Sequence, residues 1–160
     1  MRIGIAADHN GVALKARLVG VLAAGGHTVT DLGAHDGEQV VDYPPLSLDL
    51  CRRVVAGEVE RGILVGGSGL GETIACNKVR GIRAGLCPDE FHARISRGNN
   101  DSNVLVLGAK VVTPEVAEQI TAVWLTTPFR GGVHRRRLDQ IAAIERGEPL
   151  PPAPGSAGGQ

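Results

Sequence analysis

Residues 62–73 read Gly62-Ile63-Leu64-Val65-Gly66-Gly67-Ser68-Gly69-Leu70-Gly71-Glu72-Thr73. A short apolar run opens the stretch, and four glycines follow within six residues. Continuous rather than alternating apolarity suits a strand covered on both faces, as in a parallel sheet. The stretch therefore predicts a strand, a glycine loop and a helix starting near Gly71.

Four further apolar runs, at 3–7, 28–32, 83–87 and 103–107, have the same character. Helical spacing fills the intervals. Leu14, Leu18, Val21 and Leu22 mark one helix face ahead of Gly25-Gly26, and Leu46, Leu50 and Val54 mark a second behind Pro44-Pro45. Ile74 and Ala75 belong to a short third helix, and Phe91, Ala93 and Ile95 to a fourth. Val116, Ile120 and Val123 follow the cap-like Thr113-Pro114-Glu115, and Leu138, Ile141 and Ile144 form a sixth segment. Strands alternating with helices predict βαβ units in an α/β fold, a three-layer α/β/α sandwich around a five-stranded parallel, Rossmann-like sheet. One domain is expected over residues 1–147. Residues 148–160, rich in proline and glycine, read as a disordered tail.

Composition excludes several classes. The 160 residues carry 17 Lys+Arg against 17 Asp+Glu, and only Tyr43, Phe91, Trp124 and Phe129 are aromatic. Such a chain lacks both the basic surface and the stacking platforms of a nucleic-acid binder. No apolar run approaches the ~20 residues of a membrane span. Three scattered cysteines, Cys51, Cys76 and Cys87, make neither a disulfide framework nor a paired-cysteine metal site and read as small buried residues. The N-terminus goes directly into a strand, so a cytoplasmic protein without a signal peptide is expected.

In an open parallel sheet ligands bind at the carboxyl ends of the strands. The glycine loop after residue 65 turns backbone N–H groups inward, and the helix behind it adds its positive end, which together suit a phosphate or an oxyanion. Glu72 stands where a phosphate-binding loop of nucleotide enzymes would carry lysine, and the spacing also fails the dinucleotide pattern. A carboxylate beside N–H donors can instead abstract a proton next to a carbonyl while the donors hold the enediolate oxygen. A first-turn glutamate favoured by the helix dipole is the structural alternative.

Asp8, His9 and Asn10 follow the first strand. A cap or turn role suits Asp8 or Asn10, whereas His9 is placed to act as acid, base or phosphate donor. His134 and Arg137, three apart on the last helix, share a face and suit a phosphate, with Arg135 and Arg136 as solvated charge. His27 and His35 read as surface residues.

These motifs together resemble the type B ribose-5-phosphate isomerase / galactose-6-phosphate isomerase family. The resemblance rests on Ala7-Asp8-His9 with Leu14-Lys15, Asp42-Tyr43-Pro44, the loop from Gly67 to Gly71, and Ala75-Cys76-Asn77-Lys78. Gly81-Ile82-Arg83, Asn100 with Asn103-Val104-Leu105, and Gly132 with His134 and Arg137 extend it. It runs from about residue 2 to residue 146.

The resemblance implies an aldose–ketose isomerase of sugar phosphates in carbohydrate metabolism, acting through a cis-enediolate with no metal or organic cofactor. Ribose 5-phosphate to ribulose 5-phosphate, a reaction of the pentose phosphate pathway, is the leading expectation. Homodimers or tetramers with active sites shared between subunits are implied. Family members take their base from a cysteine at the position of Gly66 or from a glutamate at that of Glu72, which singles out Glu72. Ser68 and the loop residues Gly67, Gly69, Leu70 and Gly71 would stabilise the enediolate. Asp8, Tyr43 and Asn100 would bind or open the sugar, Asn100 from the neighbouring subunit. His9, His134 and Arg137 would hold the phosphate.

Three positions depart from the family pattern: Asn99 replaces a ring-opening histidine, Lys110 an arginine, and Val133 another arginine. An amide cannot deliver a proton as imidazole does, and lysine offers a point charge rather than a fork. Asn99 and Lys110 remain candidate substrate contacts. The departures point to an alternative substrate, a tetrose or hexose phosphate, or to a non-catalytic sugar-phosphate-binding paralogue.

Overall fold

The computed structural model describes residues 1–151, which fall into two compact units, one over residues 1–129 and the other from residue 130 onward. The larger unit holds β1 (Arg2–Ala7), a 3-10 turn (His9–Gly11), α1 (Val12–Ala24), β2 (Thr28–Asp31), α2 (Tyr43–Val55), β3 (Arg61–Gly66) and α3 (Leu70–Cys76). It continues with β4 (Ala84–Leu86), α4 (Glu90–Gly98), β5 (Val104–Gly108) and α5 (Pro114–Thr126). All pairings are parallel, in the order β2-β1-β3-β5-β4. The expected α/β sandwich is thus present, with every strand within a residue or two of its expected place.

Side-chain alternation along the strands builds the two cores. Ile3, Ile5, Ala7, Ile63, Val65, Leu105 and Leu107 face α1, α4 and α5, where Leu18, Ala93, Ile120 and Trp124 meet them. Ala6, Leu64, Val104 and Val106 face the other way, toward Leu50 and Cys51 of α2 and Cys76 of α3. Leu50 seats α2 on the sheet at paired Gly4 and Gly62; a Cβ on Gly4 would lie 2.8 Å from its Cδ1.

Helix ends follow local chemistry. The Thr113 hydroxyl accepts the Val116 N–H at 3.3 Å, as its cap position predicts, and Pro114 fills the first turn. Some residues of the expected helix faces lie outside the core: Ile74 is 63% exposed and Phe91 66% exposed. On α3, a helix of only two turns, the sheet-facing side is taken by Glu72 and Cys76, leaving Ile74 on the outer face.

The smaller unit holds α6 (Val133–Arg146), with Leu138 and Ala143 buried and Ile141 and Ile144 exposed. Of the expected tail, residues 152–160 lie outside the described residues.

Candidate active site

Strand order puts β1 and β3 side by side, so the segments leaving their carboxyl ends meet. Asp8 leaves β1 beside Val65, whose carbonyl accepts the Asp8 N–H at 3.1 Å. Its carboxylate accepts N–H bonds from Asn10 at 2.9 Å and Gly11 at 3.2 Å, and a third from the Asn10 amide at 3.1 Å. Asp8 is therefore a cap, the structural role that its position suggested, and it is also buried beside the glycine loop.

The loop from β3 wraps into α3. Gly69 adopts φ 80°, a left-handed conformation that glycine reaches without steric cost, and α3 begins at the next residue. This turn brings Glu72 back over the strand end. A Cβ on Gly66 would lie 1.9 Å from Glu72 Oε1 and 2.2 Å from its Cδ, so the carboxyl occupies the space a side chain at position 66 would fill. Tyr43, at the start of α2, packs its ring on Gly71 in the same way: a Cβ there would meet Cζ and the hydroxyl at 2.6 Å.

Glu72 is only 4% exposed. Burial pushes its carboxyl above the usual range; its own backbone N–H opposes this, and the charge of Asp8 adds to the rise. A carboxylate with raised proton affinity, next to loop N–H groups, is equipped to remove and return a proton at carbon. Ser68 is exposed at the loop tip, its Oγ accepting the Leu70 N–H at 3.3 Å. Lys110 follows β5, and its backbone N–H bonds the Gly67 carbonyl at 2.9 Å.

The structure thus gathers Asp8, Tyr43, Glu72, the glycine loop and the Lys110 backbone at one edge of the sheet. His9 is half-buried next to them, its Nδ1 accepting the Val41 N–H at 3.4 Å and its Nε2 lying 3.1 Å from the Asn10 amide. Of the two residues suited to a cap or turn, Asp8 is the cap and Asn10 has a linking role. It links Asp8 to His9 and lies against the loop, 3.4 Å from where a Cβ on Gly67 would stand. A polar residue directly after a strand-end Asp-His pair was the signal for it.

Asn99 and Asn100 are not brought to this cluster. They lie between α4 and β5, at the amino edge of the sheet, while Glu72 sits over Gly66, which pairs with Gly108 at the far end of β5. Within one chain the site therefore lacks them. His134 and Arg137 fall in the first turns of α6, in the smaller unit.

The cysteines are free and buried, as expected. The Cys51 thiol is pushed up by a hydrogen bond with Cys76 and by burial, and burial pushes Cys87 up to about 12. His35 is exposed, as expected, with Asp31 3.8 Å from its Nδ1, whereas His27 is half-buried, with the N-terminal amine 3.5 Å from its Nδ1. Among the described residues no group of His, Cys, Asp and Glu has the arrangement of a metal site, and no helix is long and apolar enough to cross a membrane.

Comparison with known proteins gives a consistent picture. The sequence model of the Ribose/Galactose Isomerase family matches residues 3–141. Ribose-5-phosphate isomerase B of Escherichia coli is 41% identical over 145 residues, 91% of this chain and 97% of that protein. D-erythrulose-4-phosphate isomerase of Pectobacterium atrosepticum is 36% identical over 148 residues, 92% of this chain and 97% of that protein. The solved structure of Clostridium thermocellum ribose-5-phosphate isomerase B superposes with a TM-score of 0.90 at 44% identity, covering 92% of this chain and 99% of that one.

Proposed function

The chain belongs to the ribose/galactose isomerase family and is a sugar-phosphate isomerase, and on that premise we propose that it interconverts ribose 5-phosphate and ribulose 5-phosphate through a cis-enediolate with Glu72 as base. The observation that carries the reading is the Glu72 carboxyl folded over Gly66 at the mouth of the glycine loop.

Glu72 takes the proton from C2 of the aldose, and the C1 carbonyl oxygen gains the electron pair. Backbone N–H groups of residues 67–71, with Ser68, hold the developing charge. A proton passes between the two enediolate oxygens, and Glu72 returns its proton to C1 to give the ketose. Asp8 and Tyr43 bind or open the sugar, together with Asn100 of a second copy, whose place at the opposite sheet edge fits an assembly with shared sites. His9, His134 and Arg137 are assigned to the phosphate. Asn99 and Lys110 are peripheral contacts. The reaction needs no cofactor, since the carboxylate moves the proton and backbone donors balance the charge. A cytoplasmic homodimer or tetramer is the form proposed.

A tetrose phosphate is the second reading. Asn99 supplies no proton for ring opening, and a tetrose 4-phosphate has no ring to open; the similarity to a D-erythrulose-4-phosphate isomerase supports the same direction. Turnover measured across tetrose, pentose and hexose phosphates separates the readings. The highest kcat/KM is expected with ribose 5-phosphate, and a higher value with a tetrose phosphate overturns the first reading in favour of the second.

A further inference from the structure

The turn between α4 and β5 is held far more heavily than an exposed turn requires. Asp101 adopts φ 46°, the one non-glycine residue with positive φ among those described. Two arginines bracket its carboxylate. Arg97, on the last turn of α4, bonds Oδ1 at 3.0 Å, and Arg83, from the segment entering β4, bonds Oδ2 at 3.2 Å.

Both arginines also hold backbone. Arg83 Nε donates to the Asn100 carbonyl at 3.1 Å, and its Nη2 to the Asp101 carbonyl at 2.8 Å. Arg97 Nη1 donates to the Ser102 carbonyl at 2.5 Å. Beneath them Trp124 of α5 donates from Nε1 to Ser102 Oγ at 2.7 Å, and its ring carries the Arg97 guanidinium 5.8 Å above its centre. Arg97 is kept buried although its Nε finds no partner among the described residues.

Three consecutive carbonyls and one carboxylate are thus fixed around a single exposed side chain, Asn100. We propose that Asp101, gripped by Arg83 and Arg97, is a positioning residue that presents Asn100 in one orientation to the sugar. It acts through Asn100 and touches no substrate itself. The inference rests on the isomerase reading above, in which Asn100 serves the site of a second copy. Fixing a sugar-opening group removes the orientational cost that a mobile one incurs at each turnover.

The test uses Asp101→Gly and Asp101→Asn in the full-length protein. Glycine keeps the left-handed turn and removes the whole carboxylate, and asparagine tolerates the same φ while removing only the charge. Each variant is expected to keep its circular dichroism spectrum and assembly state, to lose roughly 10- to 100-fold in kcat with a smaller change in KM, and to cause no further loss when introduced into Asn100→Ala protein. Arg83→Gln, which leaves Arg97 in place, is expected to show a milder loss of the same kind. Wild-type turnover with both Asp101 variants at full kcat overturns the proposal alone, as does a loss that multiplies with that of Asn100→Ala. A wild-type protein with no turnover on any aldose phosphate overturns the isomerase reading and this proposal with it.

Discussion

Glu72 and Gly66 share one volume, and that fact governs what substitution does at either. Glu72→Gln is expected to lower kcat by at least about 1,000-fold, while the protein still binds sugar phosphate; solvent-deuterium exchange into the substrate is the measurement. Its pH effects follow from the sign of the shift. Burial raises the folded-state proton affinity of Glu72, so the folded chain binds the proton more tightly than the unfolded one. Stability is then fully retained below the unfolded pKa and declines as pH rises through the folded pKa. Glu72→Gln should therefore be more stable than wild type at pH 7, and the difference should vanish near pH 3 in urea titrations. The acidic limb of kcat/KM should lie above the ordinary carboxylate range. Gly66→Cys adds a side chain where Glu72 already lies, so it should abolish turnover; adding Glu72→Ala clears the space and should restore part of it. The carboxylate was legible in the sequence as a charge reversal in a loop that otherwise fits a phosphate site. Its contact with Gly66 was not, because it depends on how far Gly69 turns the chain.

Thr113→Ala removes the hydroxyl that caps α5 and should cost about 1 kcal/mol in denaturant unfolding with kcat unchanged. Lys15, 2% exposed on α1, pairs with Asp31 at the end of β2, and Asp31 also accepts the Gly33 N–H at 3.0 Å. Lys15→Met should cost about 2 kcal/mol, since the Asp31 charge loses its main partner. Strands and helices were readable because apolar runs and 3.6-residue spacing report burial directly. Short α3 and the front of α4 were less so: Ile74 and Phe91 fit helical spacing yet lie on the outside, because two or three turns do not define which face meets the sheet.

At the scale of the whole molecule, strand order does what spacing cannot express. Adjacency of β1 and β3 joins Asp8 to Glu72, residues from two loops far apart in the chain, and sends Asn100 to the opposite edge. Nothing in the run lengths gives that order. An assembly is expected to complete the site, so mixing Glu72→Gln with Asn100→Ala protein under exchange conditions should restore about a quarter of wild-type kcat per site through hybrid dimers; no recovery from two separately inactive parents would refute the sharing.

The crowding of Glu72 onto Gly66 also bears on descent. A side chain gained at position 66 must push the Glu72 carboxyl, the far end of a flexible side chain, out of the place it now holds. A cysteine base introduced there would therefore cost turnover until position 72 changed as well, so the two positions should change together among relatives rather than independently.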